Sequence, residues 1–130
     1  MSLPITSLYA AALSPVFLIL AARVIMMRAA LKVGFGDGGS TELQQRLRQH
    51  GNFIEVVPFA LILSALAEAG GAGAVWLHVA GLLLLAGRLV HPFGMNVAAP
   101  AHPLRVAGAS AGFAAIAILG IALGRAALGL

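Results

Sequence analysis

The sequence contains no cysteine, one tryptophan, one tyrosine and only four acidic residues in 130 positions. Each shortage excludes a class of protein. Without cysteine there is no disulfide framework, no thiolate zinc site and no thiol nucleophile carried by the chain. The four acids, Asp37, Glu42, Glu55 and Glu68, are scattered and form no carboxylate pair for acid–base work. Charged residues make up 9% of the chain, against about 25% in a soluble domain. So few charges cannot cover a water-facing surface, so lipid must replace water around much of the fold. The formal net charge is +4, but the eight basic residues lie between apolar segments. They form no basic, aromatic-interleaved patch, which excludes nucleic acid as a partner. No nucleophile elbow or phosphate-binding loop is present. His50, His78, His91 and His102 follow no metal-ligand spacing, so no metal site is expected.

What remains is hydrophobic: 61% of residues, arranged in four long runs. The first extends from about Pro4 to Leu31, with no charge before Arg23. It lacks the positive leader of a signal peptide and is long enough to span, so a retained helix is expected. Four glycines between Val33 and Ser40 mark a loop. Ser40 or Thr41 is a plausible N-cap for a second helix from about Glu42 to Glu68. Gly70, Gly71 and Gly73 break the chain before a third helix over 74–91, ended by Pro92. A loop from Pro92 to Pro103 precedes a fourth helix over 104–128. The expectation is therefore a single domain over 1–130, an all-α integral membrane four-helix bundle rich in Gly and Ala for close helix approach. Arg28, Lys32, Arg46 and Arg48 flank loop 33–40, and Arg88 and Arg105 flank loop 92–103, whereas the second loop has no Lys or Arg. The positive-inside rule places loops 33–40 and 92–103 in the cytoplasm and both termini on the opposite side.

Helix two carries the most informative stretch. Its charge-free part, Val56 to Ala67, covers about 18 Å, well short of the roughly 30 Å hydrocarbon layer. At least two polar turns must therefore enter the membrane. Arg48, Asn52 and Glu55, at i, i+4 and i+7, share one face there. Arg48 can snorkel, but Asn52 and Glu55 are too short and should face other helices or a wet cavity. Ionisable residues at such depth are candidate functional residues. The plainer reading is a structural ladder tying helix two to its neighbours. Arg23, Arg28, Arg88, His91 and Arg105 should lie near the same depth and on the same side. This excess of positive charge suits an anionic ligand. Snorkelling and positive-inside anchoring are the plainer reading of Arg28, Lys32 and Arg46, and His78 is expected to pack away from the cluster. A four-helix proton-coupled exporter would need an acid in helix one, which has none.

The layout of the four runs, with Arg48-x-x-x-Asn52-x-x-Glu55-x-x-Pro58 early in helix two, resembles the MAPEG family, the membrane-associated proteins in eicosanoid and glutathione metabolism. Support comes from Arg28-Ala29-Ala30-Leu31-Lys32, Gly87-Arg88-Leu89 and Leu104-Arg105. The resemblance is to the small bacterial members, implying a bacterial inner-membrane protein. It implies a homotrimer with glutathione as co-substrate, bound between subunits and open to the cytoplasm. Arg48, Asn52 and Glu55 would hold the glutathione backbone and termini, and Arg28 a carboxylate. His50 stands where some relatives have a ligand-touching glutamine. Arg88 and His91 would join this binding set, and Arg105 would act on the sulfur as the catalytic residue. Several relatives have tyrosines where this chain has Val56, His91 and Met95. The implied activity is a glutathione-dependent transferase or peroxidase acting on a lipophilic small molecule from the bilayer, among membrane lipids. The alternative is a relative that binds glutathione or another small anion without turnover.

Overall fold

The computed structural model describes residues 2–130, and its element order is α1 (Pro4–Leu31), α2 (Thr41–Ala69), α3 (Ala74–Gly94) and α4 (Pro103–Leu128). All four are long and apolar enough to cross a membrane. They are the four helices expected, with one correction. α3 does not stop at Pro92 but continues to Gly94. A proline inside a helix gives up its own N–H bond and crowds the carbonyl four residues back, which bends a helix more often than it ends one. Here the final turn survives because the Pro92 carbonyl accepts the Met95 N–H at 3.2 Å and the Gln49 Nε2 at 2.8 Å.

The ends follow local chemistry. Ser40 caps α2, its hydroxyl accepting the Leu43 N–H at 3.2 Å. Loop 33–40 turns through Gly36, Gly38 and Gly39, all at positive φ. α4 begins with proline, whose missing N–H costs nothing in a first turn. The start of α1 has no side-chain cap of its own. Glu68, from the far end of α2, accepts the Ile5 and Thr6 N–H groups at 2.9 and 2.8 Å. A carboxylate suits the positive end of a helix and satisfies two of its free donors. Beside it, the Thr6 and Ser64 hydroxyls bond at 2.8 Å. Tyr9 donates to the His78 carbonyl at 3.2 Å and lies 3.1 Å from His78 Nδ1, so His78 is a packing residue at this end.

Large apolar side chains such as Leu18, Ile25, Ile62, Leu82 and Phe113 point outwards, as befits lipid solvent. The inner stripe is small: Ala60, Ala67, Ala80, Gly87, Gly112 and Ala115 are buried. Without a hydrophobic drive between helices in lipid, close backbone approach and dispersion hold the bundle. The closest approach is between α3 and α4. A methyl group on Gly87 would stand 2.9 Å from the Gly108 carbonyl oxygen, and one on Gly94 would overlap the Arg105 backbone.

This packing sets a stability prediction. Gly94→Ala should lower stability in detergent by about 1–3 kcal/mol, because backbone must move to admit the methyl group. Gly120→Ala, on an open face with no atom within 4 Å, should not lower it. Thermal unfolding of both variants checks this; equal midpoints would contradict the packing.

Candidate functional site

Polar side chains gather at the end of the bundle that carries loops 33–40 and 92–103. Arg88 is their centre. It is 2% exposed, and its guanidinium donates to Asn52 Oδ1 on α2 and, at 2.6 Å, to the Gly108 carbonyl on α4. Gly112 makes the room, since a methyl group there would stand 2.9 Å from Arg88 Nη2. His91, one turn further along α3, is also buried and packs against Gly108. Gln49 is buried between α2 and the Pro92 carbonyl.

A cleft of about 270 Å³ opens between the start of α2, loop 95–102 and the start of α4. Arg48 and Arg105 both line it, together with Gln44, Gln45 and Asn96. The loop over it is tied down from both sides. Val97 N–H donates to Gln45 Oε1 at 3.4 Å, and Arg105 Nη1 donates to the Pro100 carbonyl at 2.7 Å. Asn96 closes a turn by accepting the Ala98 N–H at 2.9 Å, and His102 caps α4 through Nδ1. Arg48 pairs with Glu55 at 3.6 Å, two turns along the same face of α2. Both side chains are more than half exposed, 60% and 56%. The cleft thus offers two guanidinium groups, a carboxylate beside one of them, and amide groups from Gln44, Gln45 and Asn96. That set matches a ligand bearing both carboxylate and ammonium groups.

The structure divides the residues expected to form one site. Arg48 and Arg105 meet in the cleft, and Glu55 joins through its pair with Arg48. Asn52 lies at the inner edge of their face and is bonded to Arg88. Arg88 and His91 sit behind it inside the bundle. His50 turns towards α1, its ring 5.5 Å from Phe17. Arg28 folds over the end of α1, donating to the Val33 and Gly34 carbonyls at 3.4 and 3.3 Å. Arg46 pairs with Glu42 at 2.6 Å and donates to the Arg23 carbonyl at 3.0 Å. Gln44, Gln45 and Asn96 were not anticipated. Gln44 and Gln45 precede Arg48 by four and three residues, so helical spacing alone places them on its face. Asn96 had no such signal, because its position depends on how loop 95–102 folds back over α2.

Comparison with known proteins follows the same lines. Residues 6–125 match the MAPEG family. The chain is 42% identical over 73 residues to the inner membrane protein YecN of Escherichia coli strain K12, and equally to YecN of Escherichia coli O6:H1. Each match covers 56% of this chain and 56% of the relative, so the chain spans little more than half the length of the curated relatives it matches. No solved structure matches. With four helices able to span a membrane and a family match over nearly its whole length, the chain belongs to the MAPEG family.

Proposed function

We propose that this chain is an inner-membrane, glutathione-dependent transferase or peroxidase. In this reading it works as a homotrimer with its arginine-rich end towards the cytoplasm. The observation that carries it is the meeting of Arg48 and Arg105, from different helices, in one cleft beside Glu55. Glutathione has two carboxylates, an ammonium group and a thiol, and the donor set fits each. Arg48 and the amides of Gln44, Gln45 and Asn96 suit carboxylate and peptide groups, and Glu55 suits the ammonium. Asn52 and Arg88 support this wall from behind. Arg28 and His50 turn away from the cleft of their own protomer, so they would serve a neighbouring subunit's cleft. His91 would contribute by packing rather than by contact.

A free thiol with a pKa near 8.5 is mostly protonated at neutral pH, and an adjacent guanidinium favours the thiolate. Arg105 is the residue available for that role. The charged ligand would come from water at the end of the bundle. The lipophilic electrophile would come through the apolar outer faces of the helices. A second reading rests on a specific contact. The bond from Arg105 Nη1 to the Pro100 carbonyl gives Arg105 a structural task, which fits a member that binds glutathione without turnover.

Two outcomes are expected. The purified protein should take up glutathione in calorimetric titration, and Arg48→Ala and Glu55→Ala should each weaken binding about ten-fold or more, the worth of a charged hydrogen bond. Unchanged titrations in both variants would remove the cleft from consideration. The protein should also accelerate conjugation of glutathione to a lipophilic aryl halide, with Arg105→Ala reducing the rate about a hundred-fold, as for loss of one donor to a developing anion. Glutathione uptake without turnover in the wild type would establish the second reading instead.

A further inference from the structure

The first backbone N–H groups of a helix need acceptors from outside it. At the start of α4, Pro103 has no N–H to satisfy. The Arg105 and Val106 N–H groups both bond the His102 carbonyl, at 3.0 and 3.3 Å. The remaining N–H, on Leu104, bonds His102 Nδ1 at 3.2 Å. A single residue therefore supplies every acceptor in this turn. The backbone that allows it is set by Pro103. A residue before a proline is held extended, and His102 has φ −57° and ψ 132°. Arg105 is tied to this residue by two routes. Its N–H bonds the His102 carbonyl, and its Nη1 donates to the Pro100 carbonyl at 2.7 Å. Pro100 lies in a turn that the His102 N–H closes on the Ala99 carbonyl at 3.1 Å. Arg105 lines the cleft with Arg48, so the placement of a cleft arginine runs through His102.

A histidine cap differs from the usual Ser, Thr, Asp or Asn because protonation removes it. The Leu104 N–H can only donate, so Nδ1 must carry a lone pair and the ring proton sits on Nε2. A second proton would occupy Nδ1 and set one donor against another. It would also place a positive charge at the positive end of α4, three residues from Arg105. α4 packs against α2 and α3 and not against α1. The basic groups that these three elements bring to this end are Arg105, Arg88, His91, Arg46, Arg48 and His50. The acids are engaged elsewhere. Glu42 pairs with Arg46 and Glu55 with Arg48, Asp37 accepts the Gly39 N–H in the first loop, and Glu68 caps α1 at the far end. Histidine is the side chain that changes charge between about pH 5 and 8.

We infer that His102 is a positioning residue for Arg105 and a pH-sensitive switch on the cleft. The neutral ring caps α4 and keeps Arg105 at the cleft wall. The protonated ring releases the Leu104 N–H, frays the first turn and loosens Arg105. The ordered form is the deprotonated one, so it is present at neutral and alkaline pH and lost on acidification. The effect on turnover rests on the glutathione reading, whereas the switch at the start of α4 does not.

The test is hydrogen exchange of the full chain in detergent, read by mass spectrometry over residues 103–107 and corrected for the intrinsic pH dependence of exchange. It is run at about pH 7.5 and about pH 5.5, towards either end of the histidine range. Wild-type protection should fall about five-fold on acidification, the worth of one side-chain cap. His102→Asn keeps a capping oxygen that does not titrate, so its protection should not fall. His102→Leu removes the cap and should show low protection at both pH values. His50, His78 and His91 remain in all three proteins and contribute equally to each comparison. Circular dichroism confirms the helical content of each variant. The same proteins are then assayed for conjugation of glutathione to an aryl halide. The ratio of wild-type to His102→Asn rates cancels the ionisation of the glutathione thiol, and it should fall about five-fold on acidification. An equal pH response of protection in wild type and His102→Asn overturns the switch, as does full protection in His102→Leu. A switch in protection with a constant rate ratio overturns the positioning of Arg105. Absence of turnover in every protein sinks the transferase reading instead, and the protection measurement alone then decides the switch.

Discussion

A single buried guanidinium holds three helices together. Arg88 of α3 reaches Asn52 on α2 and the Gly108 carbonyl on α4, and it is almost fully enclosed. In lipid a cation cannot be left unpaired, and a carboxylate is not the only remedy: neutral acceptors with good geometry satisfy it as well. The Gly108 carbonyl has a second lone pair beyond its helical bond, and Arg88 takes it. The arrangement works only because Gly112 leaves space for the guanidinium and Gly87 lets α4 come close. A polar contact and a glycine stripe thus form one device. Breaking Arg88 from Asn52 would strand a buried charge and release the turn of α2 that precedes Glu55.

The two ends of the bundle solve the same problem differently. At the terminal end, Glu68 fills the uncapped start of α1, and Thr6 pairs with Ser64. These side chains are consumed by structure. At the other end polar capacity remains in excess. Arg48, Arg105 and Glu55 lie in the open, amides line a cleft, and Gln49 Oε1, His50 Nε2 and Arg88 Nε are buried without partners. Such groups mark where further atoms belong, whether from ligand, lipid or another subunit. Among the described residues, the buried polar atoms without partners lie at the same end as most of the charge.

Much of this was legible in the residues. The four helices and a cap at Ser40 or Thr41 followed from hydrophobic run length, glycine clusters and capping chemistry, and the structure chose Ser40. The shared face of Arg48 and Glu55, which pair along α2, was legible too. Pro92 misled for a non-local reason. A proline reads as a stop, yet α3 runs on because Gln49, 43 positions away in sequence, secures the Pro92 carbonyl. The capping of α1 by Glu68 across 62 to 63 positions was equally invisible, since nothing near Pro4 announces it.

Composition and periodicity determined that the chain must live in lipid as four helices, because too few charges exist to face water and each run is long enough to span. They also determined which end would be polar. They could not assign each arginine its task, since Arg28, Arg46, Arg48, Arg88 and Arg105 are chemically identical in a list. Only the tertiary structure separated them: one onto a loop, one into an ion pair, one into the wall of the bundle, and two into a shared cleft. The reason is physical. A guanidinium's role is set by the acceptors within a few ångströms of its nitrogens, and helix packing alone decides which acceptors those are.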